Sequence, residues 1–198
     1  MHLVCITGPS AVGKMTVGRA VCERTGYRLF HNHLTIEPLL AVFEHGTPSF
    51  NRLNTLFRAE VIAEAVAADL PGLVFTYAMD FDSQDDLGHL LRLIAPVLDA
   101  GIRVDAVELY AAQDVRLARE GRADRVAHKP SKAAVELARS RVVDTESWAR
   151  FNTVPGAAPE EGGWPWPWMP HLGIVNEGQD PEAVADRIVD ALRLPRVG

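Results

Sequence analysis

Between a short apolar run and a helical pattern the chain reads Gly8-Pro9-Ser10-Ala11-Val12-Gly13-Lys14-Met15-Thr16. This nine-residue stretch constrains the fold more than any other. It matches G-x-x-x-x-G-K through Lys14, and it stands where a buried strand, His2–Thr7, would hand over to a helix, Lys14–Thr25. In that setting the glycines let backbone N–H groups of Ser10, Ala11, Val12 and Gly13 converge on phosphate oxygens. The helix start adds its positive dipole end, and Lys14 adds a point charge for the β- and γ-phosphates of a nucleotide.

One position departs from the pattern. The residue after the lysine ordinarily carries a hydroxyl that ligates Mg²⁺, and here it is Met15. A thioether is soft and Mg²⁺ takes oxygen, so Met15 is not expected to hold the metal. Thr16 is one residue on, turned by about 100° around the helix. Its hydroxyl more naturally meets an α-phosphate oxygen, and it replaces the missing ligand only if the loop shifts.

Composition narrows the partners. The 198 residues carry a net charge of −6, with 47% hydrophobic and 23% charged residues. That describes a single domain with a sizeable core and lacks the cationic surplus of a general nucleic-acid or anionic-membrane binder. Two cysteines, Cys5 and Cys22, stand in apolar or helical patterns and read as small buried residues of a reducing compartment. The N-terminal apolar run is too short for a signal peptide, and no run approaches the roughly 20 residues of a membrane span. A cytoplasmic protein, monomer or homodimer, is expected.

Strand-like runs at Tyr27–Phe30, Leu73–Tyr77, Arg103–Tyr110 and His171–Val175 alternate with helical patterns at Thr35–Phe43, Asn51–Leu70, Asp85–Ala100, Asp114–Glu120, Lys132–Ala149 and Pro181–Leu194. Such alternation implies an α/β fold, a parallel sheet covered by helices on both faces. Asn152–Pro170, rich in Pro, Gly and Trp, is long for a connecting loop. Its Trp164-Pro165-Trp166-Pro167-Trp168 run could cover a ligand, but sealing a small core of its own is the favoured expectation.

The loop Gly8–Thr16, together with the arginine-rich stretch Arg119–Arg125, resembles the small P-loop kinases, the group of adenylate, shikimate and gluconate kinases. The resemblance implies a three-layer fold with five parallel strands in order 2-3-1-4-5, ATP and Mg²⁺ as cofactors, an acceptor-binding region at about 31–70 and a lid at about 115–132. By position it places His31, Asn32 and His33, after the second strand, against the acceptor. A histidine there could take a hydroxyl proton, and a polar loop beside a helix cap is an equal reading. A zinc site from His31 and His33 lacks further ligands, and the letters His-Asn-His do not make a nuclease. After the third strand, Asp80 is the first choice for holding Mg²⁺ or accepting the acceptor's proton. Asp82 is the second, with helix capping beside Ser83 as its plain alternative. The lid arginines would be Arg119 and Arg125, with Arg122 behind them, closing over phosphates through planar bidentate guanidinium groups. Arg116 would share a helix face with Arg119, and a solvated basic face partnered by Glu120 and Asp124 is the plain alternative. Asn176-Glu177-Gly178 would lie near the adenine.

These residues imply an ATP-dependent phosphotransferase that moves the γ-phosphoryl to a hydroxyl of a small molecule. A nucleotide kinase fits less well, because no D-G-x-x-R run follows the third strand. The alternative is a non-catalytic or weakly hydrolytic nucleotide-binding regulatory protein, with Met15 as its best support. An ATPase acting on macromolecules is disfavoured by the compact length.

Overall fold

A computed structural model describes residues 1–120, 139–140, 142–144, 147–154, 156–159 and 163–197. Five strands form one all-parallel sheet: β1 (Leu3–Thr7), β2 (Arg28–Phe30), β3 (Leu73–Thr76), β4 (Val104–Tyr110) and β5 (His171–Val175). Their spatial order is β2-β3-β1-β4-β5. The register places Leu3 beside Leu73 and Val104, and Ala106 beside His171. Helices α1 (Lys14–Thr25), α2 (His33–Leu40), α3 (Pro48–Ala67), α4 (Gln84–Asp99), α5 (Gln113–Arg119) and α6 (Pro181–Leu192) supply the connections.

Why both sheet faces are apolar follows from what covers them. Successive residues of a strand point to opposite faces. Leu3, Cys5, Leu73, Phe75, Val104 and Ala106 pack on one side with residues of α3 and α4. Val4, Ile6, Val74, Val107, Leu109 and Ile174 pack on the other with residues of α1 and α6. The strands β1 and β3 are therefore near-continuous apolar runs rather than alternating ones, while β4 is interrupted by the buried Asp105 and Glu108.

Most element boundaries lie within one or two residues of the sequence reading, and three helices show the larger differences. The helix α2 begins at His33, two residues early, with Asn32 at its N-cap. The helix α3 begins at Pro48, because Thr47 caps it: its Oγ1 accepts Phe50 N at 3.3 Å. The helix expected over Lys132–Ala149 is described only in part. Residues 139–140 and 142–144 are helical, and Ser147 and Trp148 already form a turn. Cys5 is buried and Cys22 half-buried, without a disulfide, and burial pushes both thiols up to about 12.

The tryptophan run does not seal a separate core. Trp164 and Trp166 join the core under α3 and α4, and Trp168 stays 53% exposed. Trp164 stacks on His171 at 4.6 Å between ring centroids and meets Phe81 edge-on. Among the described residues no helix is long and apolar enough to cross a membrane.

Candidate functional site

The phosphate loop connects β1 to α1 and takes the backbone shape its residues permit. Gly8 (φ 132°) and Gly13 (φ 110°) adopt positive φ, and so does Ala11 at 61°. A Cβ on Gly8 would lie 2.4 Å from Leu109 O, so a side chain there would collide with β4. Lys14 Nζ donates to Gly8 O (2.5 Å) and Pro9 O (2.8 Å), which places the ammonium across the loop entrance.

The outward carbonyls of the loop are held from behind. Val12 O accepts Asn176 Nδ2 at 2.6 Å and Arg119 Nη1 at 3.1 Å. Arg119 Nη2 also donates to Asn176 O at 2.7 Å. Arg116, 3% exposed, donates Nη1 to Ser10 O and Nε to Ala111 O. Ser10 Oγ donates to the buried Glu120 carboxylate at 3.4 Å. The carbonyls of Ser10 and Val12 are thereby engaged within the protein, while the N–H groups of such a loop are what a phosphate would meet. The two arginines thus sit against the loop backbone in α5. Arg122 and Arg125 lie outside the described residues, as does most of the expected lid.

Met15 is half-buried and Thr16 exposed at the start of α1. The helix is regular from Lys14, and Val17 N closes its first turn on Gly13 O at 3.0 Å. No shift of the loop brings the Thr16 hydroxyl to the position Met15 holds. Among the described residues no cluster of three or more His, Cys, Asp or Glu could hold a metal ion.

After β2, Asn32 N donates to Thr76 Oγ1 at 3.1 Å, which ties this strand end to β3. His33 Nδ1 lies 2.7 Å from Glu37 Oε1, one turn along α2. Behind them Arg58 of α3 is 5% exposed and donates Nε to Thr35 Oγ1 at 3.1 Å. Burial pulls its pKa below the usual guanidinium value.

After β3, Asp80 Oδ1 accepts Asp82 N and Arg150 N, each at 3.0 Å. Asp80 N donates to Asp86 Oδ2 at 2.8 Å. The same Asp86 accepts Tyr77 Oη, whose oxygen lies 3.0 Å from His89 Nδ1. Burial is the main force holding His89 below its ordinary value, with Arg58 and Arg92 acting the same way. Asp82 pairs with Arg150 through Nε (2.9 Å) and Nη2 (2.7 Å), and these bonds hold its carboxyl below the usual range. Ser83, not Asp82, caps α4, accepting Asp86 N at 3.2 Å.

Three residues emerge from the structure that the sequence reading did not single out. Arg150 binds Asp82, and its backbone exchanges bonds with Phe81 and Asp80. Asn176, passed over except as a neighbour of adenine, braces the phosphate loop. Glu108 of β4 is fully buried, accepting Asn152 Nδ2 and Thr153 N on Oε1 (2.8 Å each) and Thr153 Oγ1 on Oε2 (3.0 Å). His171 Nε2 lies 3.0 Å from Oε2. Burial pushes the Glu108 pKa up, but the bonds from His171, Asn152 and Thr153 outweigh it and hold the pKa below the usual range. A carboxylate in the middle of a buried strand was the available signal.

A cavity of about 750 Å³ opens beside the loop entrance. Pro9, Asp82, Tyr110, Arg116 and the segment from Ser147 to Asn152 line it. Its size suits a small organic ligand. His31, Asn32, His33 and Asp80 are not among its lining residues. Asp80 stands one layer behind, bonded to the wall residue Arg150.

No protein-family model matches the chain, and no curated protein matches it in sequence. Solved structures match over nearly the full length. A sugar kinase from Janibacter sp. HTCC2649 is 17% identical, with a TM-score of 0.56, covering 98% of this chain and 95% of its own. Shikimate kinase from Acinetobacter baumannii, solved in complex with shikimate, is 17% identical, with a TM-score of 0.56 and coverage of 98% and 93%. The APS kinase CysC from Mycobacterium tuberculosis, solved with AMPPNP and APS, is 15% identical, with a TM-score of 0.53 and coverage of 97% of each chain. At these identities the likeness concerns the backbone, and with the strand order 2-3-1-4-5 it establishes that this chain has the fold of the P-loop small-molecule kinases.

Proposed function

We propose that the protein transfers the γ-phosphoryl group of ATP to a hydroxyl of a small molecule. The observation that carries this reading is the juxtaposition of a braced phosphate loop with a ligand-sized cavity at its entrance. Lys14 Nζ rests on the carbonyl of Pro9, and Pro9 is part of the cavity wall. Pro9 thus links the lysine that would neutralise the transferred phosphoryl to the cavity, although Lys14 itself does not line it.

In the proposed reaction the acceptor oxygen attacks the γ-phosphorus in line. A new O–P bond forms, and the bond from phosphorus to the β–γ bridging oxygen breaks, releasing ADP. The acceptor's proton passes to a carboxylate, and Asp80 is assigned that role from its place after β3, one layer behind the cavity wall, which requires the acceptor or a water to reach it past Arg150. Its Oδ1 is held by two backbone N–H groups, so Oδ2 is the atom to receive the proton. Asp82 lines the cavity but is tied to Arg150, and it stands second. Gly8, Ser10, Ala11, Val12, Gly13 and Lys14 are assigned to the phosphates, and Thr16 to an α-phosphate oxygen. Arg119 supports the loop. Arg125 keeps the lid role implied by the family resemblance, as do His31, Asn32 and His33 their place on the acceptor side.

Mg²⁺ does not fit a dedicated protein site here. Met15 offers sulfur where oxygen is required, Asp82 is paired with Arg150, and Asp80 already accepts two backbone N–H groups on Oδ1. The ion is read as arriving with ATP and held by nucleotide oxygens and water. Each named step rests on the chain's own groups.

The test is ADP release with a panel of hydroxyl compounds, beside ATP binding by calorimetry. Wild type should bind ATP at millimolar affinity or better, and Lys14→Ala should weaken this by tenfold or more, about 1.4 kcal/mol. Unchanged binding in that variant would remove the nucleotide reading. ATP binding without turnover of any acceptor would favour the second reading, a nucleotide-binding regulatory protein, which Met15 supports.

A further inference from the structure

We infer that the cavity at the phosphate-loop entrance takes an acceptor with a flat aromatic body, rather than a sugar or other polyol. The inference rests on the proposed phosphotransfer and names the substrate class of that same site.

The walls argue for it. Tyr110 at the end of β4, Trp148 and Phe151 contribute three aromatic rings to one cavity. Trp148 is 69% exposed, and Val143, on the same rim, is 46% exposed. Large apolar side chains left open at the mouth of a ligand-sized cavity are a recognition surface, since a flat ligand covers them and water does not.

The charges in the wall are already occupied. Asp82 and Arg150 neutralise each other, and Arg116 donates to the carbonyls of Ala111 and Ser10. The three aromatic rings are what this wall adds to those paired charges, and a flat body stacks on them. A neutral planar body with one reactive hydroxyl asks for aromatic faces and a single proton acceptor.

Two of the three rings, Tyr110 and Phe151, stand on anchored backbone. Tyr110 Oη donates to Gly156 O at 2.8 Å, which fixes the phenol ring. Arg150 and Asn152 are anchored on Asp82 and Glu108, on either side of Phe151. Rings already held in place lose little freedom when a ligand stacks on them. The volume of about 750 Å³ fits a bicyclic body with room for the phosphoryl group.

The experiment needs no turnover. Wild type is titrated, without nucleotide, with 2-naphthol and with indole-3-ethanol, and binding is read by calorimetry and by tryptophan fluorescence. Glucose and shikimate are the comparison compounds. Both aromatic probes should bind with a Kd below about 1 mM, and Trp148→Ala should weaken them about tenfold. Phe151→Leu should weaken them too, with ATP affinity unchanged in both variants. Absence of binding by both probes, or equal binding in wild type and both variants, overturns the inference. So does phosphorylation of glucose or shikimate that Trp148→Ala leaves unchanged, an outcome that would keep the kinase reading. Conversely, tryptophan-dependent binding of the aromatic probes with no phosphorylation of any acceptor would sink the kinase reading and keep the site.

Discussion

Removing the Glu108 carboxylate should destabilise the protein and loosen the acceptor side while sparing the phosphate loop. Glu108 is fully buried, and Thr153 N, Thr153 Oγ1 and His171 Nε2 converge on it together with Asn152 Nδ2. Asn152 Nδ2 has a second acceptor in Leu109 O, so three groups lose their partner in Glu108→Ala. At about 1–3 kcal/mol for each buried group left unsatisfied, and allowing the Thr153 hydroxyl to rotate, the cost is about 4 kcal/mol. For a chain this long, each kcal/mol lowers Tm by about 2–4 °C, so Glu108→Ala should melt roughly 8–16 °C below wild type. Glu108→Gln keeps one oxygen acceptor and should lose about 1–2 kcal/mol. The carboxyl also has its own pH signature. Its folded pKa lies below the ordinary value of 4.5, so its stabilisation is complete above about pH 4.5 and is lost as pH falls through the folded pKa. Wild type should therefore lose stability on acidification more steeply than Glu108→Gln. Calorimetric melts at pH 7 and pH 4, with ATP titrations at pH 7, test both parts. A fall in Tm of under about 3 °C for Glu108→Ala would show that the buried bonds are not holding this segment. A loss of ATP affinity equal to that in Lys14→Ala would show that the segment is not separable from the phosphate loop.

Two further substitutions probe the loop and the strand end. Gly13→Ala forces φ 110° on a residue with a Cβ, and that Cβ would lie 2.6 Å from Asn176 Nδ2. It should cost about 1–3 kcal/mol of stability and weaken ATP binding at least tenfold, seen in a melt and a titration; intact binding would mean that the Asn176 brace is dispensable. Asp80→Asn keeps an Oδ1 to accept Asp82 N and Arg150 N, so the turn and ATP affinity should survive while transfer falls by at least a hundredfold. Full activity would pass the proton to another group, and a matched Asp82→Asn variant would show whether that group is Asp82.

The parts of this molecule that local chemistry decides were legible in the sequence. The strands β1 and β3 are apolar because both faces are covered, so their positions stand out as runs, and Gly8 and Gly13 mark two of the three places where the loop takes positive φ. The strand order was not in the periodicity and came from likeness to related folds. What stayed hidden depends on partners far apart in the chain. The segment 150–170 has no regular sequence pattern of its own, and several of its described residues are positioned by groups that precede them by 40 residues or more. Arg150 meets Asp82 across 68 positions, Thr153 meets Glu108 across 45, and Trp164 joins a core built from α3 and α4. Read alone, a stretch rich in tryptophan and proline looks self-contained, because nothing in it names the carboxylate it will satisfy. The clue lay in β4 instead. A glutamate facing the core from an apolar strand needs several donors, and no neighbour within that strand can supply them. Following that demand leads to Asn152 and Thr153, and through Phe151 and Trp148 to the wall of the cavity. Residues that bury a charge to fix one segment thereby set the aromatic surface near Pro9 of the phosphate loop, which is why Glu108 should influence an acceptor bound as proposed while sitting outside the cavity itself.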